Sequence, residues 1–121
     1  MRNFKDLVVW ERAHALTLEL YQATRVFPKE EQYGITSQIR RAAASIGANL
    51  AEGCGRRTDG EFGRFLRIAM GSASELAYHL LLARDLHLLK EIDYARLDGQ
   101  LAEVRKMLTS LTMKVKPAAA S

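Results

Sequence analysis

Residues 35–53 of the chain, ITSQIRRAAASIGANLAEG, decide the fold. Apolar side chains recur in this stretch every three or four positions, which is the repeat of an amphipathic α-helix and not the alternation of a β-strand. No proline interrupts the stretch, and Gly53 and Gly55 supply a common way for a helix to end. The pattern therefore predicts one long helix whose buried face consists of Ile35, Ile39, Ala42, Ala43, Ile46, Leu50 and Gly53.

The same spacing recurs in three other segments, and the flanking residues indicate where each helix begins or ends. Asp6 precedes the first segment and Asp93 the fourth, and a short acidic side chain is a favoured N-cap. Thr58 precedes the third segment and has Glu61 three residues later, which is the pattern of a capping box. Pro28 is expected to end the first helix, because its ring cannot continue one.

Each of these three helices has one apolar face. The faces consist of Trp10, Ala13, Leu16, Thr17, Leu20, Tyr21, Thr24 and Phe27 in the first, Phe62, Phe65, Leu66, Ala69, Ala73, Leu76, Leu80 and Ala83 in the third, and Leu97, Leu101, Val104, Leu108, Leu111 and Val115 in the fourth. Four helices with short connections favour antiparallel neighbours. We therefore predict an all-α fold, an antiparallel up-down-up-down four-helix bundle over residues 1–116, with a disordered tail over residues 117–121.

The second and third helices carry side chains of complementary size. Ala42, Ala43 and Gly53 on the second helix are small, whereas Phe62 and Phe65 on the third are bulky. Small residues opposite bulky ones allow two helix axes to approach closely. We therefore expect a close contact between these two helices.

The composition limits the class of protein. Of the 121 residues, 48% are hydrophobic, which excludes a disordered chain. Cys54 is the single cysteine, so no internal disulfide can form, and a reducing compartment fits. The sequence contains neither a run of about 20 apolar residues that would cross a bilayer nor the apolar core of a signal peptide. We expect a cytoplasmic protein with no membrane partner, whose net charge of +4 permits contact with nucleic acid without requiring it.

A stripe of polar side chains borders the apolar face of the second helix. Successive members lie three or four positions apart, so they fall on one side of the helix. The polar stripe consists of Gln38, Arg41, Ser45, Asn49, Glu52 and Arg56. Short hydrogen-bonding groups that alternate with arginines are typical of a partly buried seam. The alternative interpretation is a solvated face on which these residues happen to align.

The third helix is also apolar on the side opposite its core positions. This second face, the α3 face, consists of Ile68, Gly71, Glu75, Tyr78 and Leu82. Because a helix that is apolar on two faces usually buries both, we predict a homo-oligomer in which the α3 face is the interface. Glu75 would then need a cation, and Arg41 and Arg64 are the nearest candidates. The alternative is an apolar patch of modest size on a monomer.

Arginine is concentrated around the turn that follows the second helix. Residues 34–67 contain six arginines against the three acids Glu52, Asp59 and Glu61. Guanidinium groups suit bidentate contact with phosphate, and a glycine turn before a helix N-terminus lets backbone amides approach an anion. The candidate nucleic-acid-binding residues are Arg40, Arg41, Arg56, Arg57, Arg64 and Arg67. The alternative is that these arginines pair with neighbouring acids or only solubilise the surface.

No group of catalytic or metal-binding residues stands out in the sequence. His14, His79 and His87 show no ligand spacing with Cys54 or with a pair of carboxylates. Neither Cys54 nor Ser45 has an evident general base nearby in the sequence, and the two standard glycine-rich nucleotide motifs are absent. We therefore expect no metal, no cofactor and no enzymatic activity.

Three stretches of the chain form a specific combination: FKDLVVWERAHALTLELY from residue 4, FPKEEQYGITSQIRRAAASIGANLAEG from residue 27, and GEFGRFLRIAMGSASEL from residue 60. Together they resemble the bacterial intervening-sequence proteins, some of which are encoded within insertions in genes for large-subunit ribosomal RNA. The resemblance implies a four-helix bundle that assembles into a ring, often of five subunits. The chain also resembles the accessory subunit of diversity-generating retroelements, a basic ring of the same fold that associates with a reverse transcriptase and nucleic acid.

Two classes of function remain open at this stage. In the first, the protein is a non-enzymatic homo-oligomer that binds RNA or DNA through the arginines around residues 53–57. In the second, it is a protein–protein adaptor or assembly scaffold whose polar stripe and α3 face contact other copies or another protein, without nucleic acid. The salt dependence of binding distinguishes the two classes, because contacts with phosphate weaken as the salt concentration rises.

Overall fold

The computed structural model describes residues 2–115, so the expected disordered tail at residues 117–121 lies outside the described part of the chain. The described residues form four α-helices and no strand: α1 (Val8–Ala23), α2 (Ile35–Cys54), α3 (Asp59–Asp85) and α4 (Glu91–Lys114). Short 3₁₀ turns lie at Phe4–Asp6, Thr24–Val26 and Lys29–Glu31. The all-α prediction is confirmed.

Two of the three predicted helix caps are wrong. Asp6 lies in the first 3₁₀ turn, where the Asn3 side chain accepts a hydrogen bond from the backbone of Lys5, and α1 begins after Leu7. Asp93 lies inside the first turn of α4, whose N-cap is Lys90. A carboxylate in the first turn interacts favourably with the helix dipole without being the cap, and sequence alone does not separate these two roles.

Thr58 is the N-cap of α3 as predicted, but the described hydrogen bonds do not include the return bond from the Glu61 side chain that would complete a capping box. The end of α1 differs from the prediction. Thr58 Oγ1 accepts a hydrogen bond from the backbone N–H of Glu61 at 3.1 Å. α1 ends at Ala23, before Pro28 is reached. The hydroxyl of Thr24 donates to the carbonyl of Leu20 at 2.8 Å, and the chain tightens there into a 3₁₀ turn.

The predicted core faces of α2, α3 and α4 are confirmed, with Phe65, Leu111 and Val115 only half-buried. The face of α1 differs in part. Val9 occupies a core position that the sequence pattern did not include. Tyr21 is exposed, and Trp10 and Thr17 are only half-buried, although all three were expected on the core face. The core of α1 therefore runs along Val9, Ala13, Leu16 and Leu20.

The helices pack around a square. α1 packs on α2 and α4, and α3 packs on the same two helices, so α1 and α3 lie on a diagonal. Contacts between neighbouring helices join the beginning of one to the end of the other, as antiparallel neighbours do. Trp10–Gly47 and Thr24–Arg40 join α1 to α2, and Ser45–Ser72 and Gly53–Phe62 join α2 to α3. Ser74–Arg105 and Arg84–Tyr94 join α3 to α4, and Arg12–Glu103 and Glu19–Arg96 join α1 to α4. The start of α1, the α2–α3 turn and the end of α4 therefore share one end of the bundle, called the turn end below.

Candidate functional site

The middle of the polar stripe forms a hydrogen-bonded seam between α2 and α3. The hydroxyls of Ser45 and Ser72 are 2.8 Å apart across the two helices. The amide nitrogen of Asn49 donates to the carbonyl of Ser45 at 2.8 Å and to its hydroxyl at 3.0 Å. Both Ser45 and Asn49 are half-buried, so this part of the stripe stabilises the contact between α2 and α3.

The C-terminal end of the polar stripe is an ion pair whose cation packs against an aromatic ring. An Arg56 Nη nitrogen lies 2.7 Å from a Glu52 carboxylate oxygen, one helical turn earlier. The guanidinium of Arg56 lies 4.8 Å from the centre of the Phe65 ring, and that of Arg64 approaches the same ring at 5.5 Å. Glu52 therefore neutralises Arg56 within the chain.

Three of the candidate arginines are exposed at the turn end without an acidic partner among the described residues. Arg57 precedes the Thr58 cap, and Arg64 and Arg67 follow in the first turns of α3. The ion pairs in this region join Arg2 to Asp59 and Arg56 to Glu52. Arg57, Arg64 and Arg67 therefore have guanidinium donors available to an external anion.

The structure does not bring all six candidate arginines together. Arg40 and Arg56 are separated along α2 by about 24 Å, at about 1.5 Å per residue. Arg40 also faces α1, where its Nε donates to the Thr24 hydroxyl at 2.9 Å and its guanidinium lies 4.6 Å from the centre of the Tyr21 ring. Arg41 is exposed on the outer side of α2. Nucleic-acid binding by Arg40 and Arg41 thus stays a prediction. The guanidinium of Arg40 already contacts Thr24 and Tyr21 of its own chain.

Arg2 is a residue of the turn end that the sequence pattern did not reveal. Its backbone N–H donates to the carbonyl of Cys54 at 2.8 Å, at the C-terminus of α2. Its side chain contacts a carboxylate oxygen of Asp59 at 2.9 Å and lies 4.1 Å from the centre of the Phe62 ring. The N-terminal segment therefore ties the end of α2 to the start of α3.

Cys54 lies beneath this N-terminal segment. It is a free cysteine and is buried. Burial raises the pKa of its thiol above the ordinary value, while the positive charge of Arg2 acts in the opposite direction with a smaller effect. A protonated, inaccessible thiol is a poor nucleophile, so Cys54 has the properties of a packing residue.

The α3 face is exposed from Ile68 to Tyr78. Tyr78 is 58% exposed and Ile68 is 39% exposed, while Leu82 is half-buried. Glu75 contacts His79, with 3.3 Å between the carboxylate oxygen and Nε2, and it is bonded to neither Arg41 nor Arg64 within the described chain. The pairing of Glu75 with either arginine thus stays a prediction about contacts between copies.

The described residues contain no group of three or more histidines, cysteines or carboxylates placed to hold a metal ion. Between residues 2 and 115, every helix is too short or too polar to cross a bilayer.

A profile of the family described as 23S rRNA-intervening sequence protein matches residues 5–110, the bundle itself. The chain belongs to this family. One solved structure with the same fold is a protein of unknown function from the S23 ribosomal protein family of Bacteroides thetaiotaomicron VPI-5482. The alignment covers 87% of this chain and 98% of the Bacteroides chain, at 24% sequence identity and a TM-score of 0.78. This similarity shows the fold alone. A search of curated proteins finds no match to the chain.

Proposed function

We propose that this intervening-sequence protein is a non-enzymatic homo-oligomer that binds the phosphate backbone of RNA or DNA at the turn end of its bundle. The observation that carries the proposal is the exposed group of Arg57, Arg64 and Arg67, which has no acidic partner among residues 2–115. Unpaired guanidinium groups in a short turn and on the helix that follows it suit phosphate oxygens. The site would act in the cytoplasm, where nucleic acid is available.

The distribution of charge supports a site at this end. The described turn end carries Arg2, Lys5, Arg56, Arg57, Arg64, Arg67 and Lys114 against Asp6, Glu11, Glu52, Asp59 and Glu61. At the opposite end, cations alternate with acids, and Arg96 pairs with Glu19 and Arg84 with Asp85. The excess of positive charge therefore lies around the α2–α3 turn, where a polyanion would be attracted.

Assembly would multiply this site. The exposed α3 face gives the chain a surface for contact between copies, and the family resemblance implies a ring, often of five subunits. Several identical arginine groups on one rigid particle bind a continuous phosphate backbone with an affinity that no single group reaches. In the proposed function, each copy carries one weak cationic site, and the assembly presents several of these sites to the same nucleic acid.

The test is binding of a fluorescently labelled RNA and of a DNA of the same sequence, followed by anisotropy across a salt series. We expect log affinity to fall linearly with log salt. Arg57→Ala with Arg64→Ala should reduce the slope by about one to two for each copy that contacts the nucleic acid, at about 0.7 per phosphate contact on a single strand. The matched control removes two cations at the opposite end, Arg25→Ala with Lys29→Ala, and should leave the slope unchanged. Binding that is absent, or that is equally weakened by both pairs, would remove the turn end as a nucleic-acid site.

A second candidate function is an assembly scaffold or protein–protein adaptor that binds no nucleic acid. It is favoured by the arginines whose donors are used inside the chain, Arg40 on Thr24 and Arg56 on Glu52. It predicts assembly that resists salt and a purified protein whose 260/280 nm absorbance ratio does not change after nuclease treatment.

A further inference from the structure

A groove between α1 and α2 lies on a different side of the bundle from the α3 face. It has a volume of about 360 Å³. Its floor is made of small residues of α2, and its wall is made of ring-bearing residues of α1. The residues used below are Ala44, Gly47, Ala48 and Ala51 on the floor and Trp10, His14 and Tyr21 on the wall. We propose that this groove receives the α3 face of a second copy of the chain, a proposal that rests on the homo-oligomer proposed above.

The groove is held open by contacts within the chain. Trp10 stacks on His14 with 4.9 Å between ring centres and 8° between ring planes, and Tyr21 is held beneath the guanidinium of Arg40. A Cβ atom at Gly47 would lie 3.4 Å from Trp10 Nε1, so the absence of a side chain there brings the wall close to the floor. A preorganised surface of this kind loses little conformational entropy when a partner docks.

The floor is free of charge over two and a half helical turns. Residues 42–51 of α2 contain no charged side chain, and both Ala44 and Ala48 are exposed. Other exposed edges of the bundle carry salt bridges, such as Arg12 with Glu103. An exposed helix surface with small apolar side chains and no charge is suited to the large apolar side chains of another helix.

The α3 face has the complementary shape and a similar length. Its largest exposed side chains, Ile68 and Tyr78, are separated by about 15 Å along the helix, and the floor between Ala44 and Ala51 extends for about 10 Å. Gly71 lies between the two large residues, and a Cβ atom added there would meet no other described atom of the chain within 4 Å. The face thus presents two protruding apolar groups, with a low point at Gly71 and the carboxylate of Glu75 between them.

Charge is complementary as well. Glu75 is the one acid on the α3 face, and it is exposed. Arg41 lies on the outer side of α2, one turn before Ala44, and makes no ion pair with another described residue. Docking of the α3 face along the floor would bring the carboxylate of one copy to the guanidinium of the next.

The placement of the two surfaces determines the symmetry of the contact. α3 lies diagonally across the bundle from α1, so a copy that inserts its α3 face keeps its own groove open to solvent on another side. The contact is therefore heterologous: each copy inserts into one neighbour and receives another. Such contacts close into a ring or continue as a filament.

The decisive experiment uses two variants that each block one surface. Ala48→Glu places a charge on the exposed floor and leaves the α3 face intact; Tyr78→Lys removes an anchor from the face and leaves the groove intact. We expect each variant to weaken assembly by at least about thirtyfold in sedimentation velocity, the loss of one central anchor. Ala102→Glu, at an exposed position of α4, is the matched control and should assemble as the wild type does. Circular dichroism verifies that each variant is folded.

Mixing the two blocked variants distinguishes a heterologous contact from a face that pairs with itself. The intact face of the Ala48→Glu chain can enter the intact groove of the Tyr78→Lys chain, so an equimolar mixture should form a one-to-one dimer and nothing larger. A mixture that stays monomeric, or an Ala48→Glu chain that assembles normally beside an assembled wild type, would overturn the groove as the receiving surface. A wild-type chain that is itself monomeric would instead overturn the proposed homo-oligomer.

The ion pair between copies has its own test. Glu75→Arg and Arg41→Glu should each weaken assembly at least about fivefold, and the chain with both substitutions should recover the wild-type affinity, because the pair is restored with its signs exchanged. Equal weakening in the double variant would contradict the pairing of these two residues.

Discussion

Gly53 of α2 lies so close to Phe65 of α3 that a Cβ atom at position 53 would be 2.9 Å from Phe65 Cβ and 3.1 Å from Phe62 Cδ1. The small residue therefore sets the distance between the two helices at the turn end. Phe65 in turn supports the guanidinium groups of Arg56 and Arg64. The predicted pairing of small and bulky residues is confirmed at this position, and it places the candidate nucleic-acid site on a rigid base.

Gly53→Ala is expected to lower the free energy of unfolding by about 1 to 3 kcal/mol, the usual effect of overpacking a close contact. The control is Gly99→Ala in α4, where a Cβ would meet no described atom within 4 Å. That change should raise the free energy of unfolding by up to about 1 kcal/mol, since alanine favours the helix. Urea denaturation measures both. Equal effects at the two positions would contradict the close contact.

Arg40 and Arg41 are neighbours in sequence with different expected roles. Arg40→Ala should lower the free energy of unfolding by about 1 to 2 kcal/mol, because it removes a hydrogen bond to Thr24 and a stack on Tyr21. Arg41→Ala should change it by less than about 0.5 kcal/mol, since Arg41 is exposed and unpaired among the described residues. The measurement is made at protein concentrations below assembly, so that it reports the isolated bundle. A larger decrease in the free energy of unfolding for Arg41→Ala than for Arg40→Ala would contradict the structural role given to Arg40.

Cys54 should react slowly with thiol reagents, at a rate limited by opening of the N-terminal segment. Arg2→Ala removes the side-chain contacts with Asp59 and Phe62 that help to hold this segment in place, while the backbone hydrogen bond to the Cys54 carbonyl can remain. It should increase the labelling rate up to about tenfold, the factor of about 1.4 kcal/mol in opening free energy. Arg12→Ala removes a salt bridge between α1 and α4 that makes no contact with Cys54, and it serves as the control. Labelling with iodoacetamide, followed by mass spectrometry, gives the rates. Fast labelling of the wild type would contradict the burial of Cys54.

The raised pKa of Cys54 also predicts a dependence of stability on pH. The native state keeps the thiol protonated at a pH where the unfolded chain, with a pKa near the ordinary 9.0, has released the proton. The contribution is fully present below pH 9.0 and is lost as the pH rises above it, so the free energy of unfolding should fall there. Cys54→Ala should lack this decline, and a decline of the same size in that variant would assign it to other groups.

The sequence predicts most of the fold because three of the helices have an unambiguous apolar repeat. In α1 the repeat can be read from Val9 or from Trp10, since both start a series of residues spaced by three and four. Packing against α2 and α4 selects Val9 for the core and leaves Trp10 and Tyr21 on the wall of the groove. Neighbouring helices, and not the local pattern, decide between the two series.

The site is less predictable than the fold because its contacts join distant parts of the chain. Arg2 and Asp59 are separated by 57 positions, and Ser45 and Ser72 by 27. Periodicity places Ser45 beside the core but does not give the register of α2 against α3. The groove between α1 and α2 could not be predicted from the sequence for the same reason. Its alanines have the pattern of an ordinary helix surface, and only the packing of α1 on α2 places the aromatic residues of α1 next to them.

Light scattering of the full chain at micromolar concentration tests the central claim, that the α3 face is covered by another copy, most directly. The account predicts a mass that is a whole multiple of 13.6 kDa, and a return to one chain when Tyr78 is replaced by lysine. A wild-type particle of 13.6 kDa, with Tyr78 and Ile68 in contact with water, would contradict it.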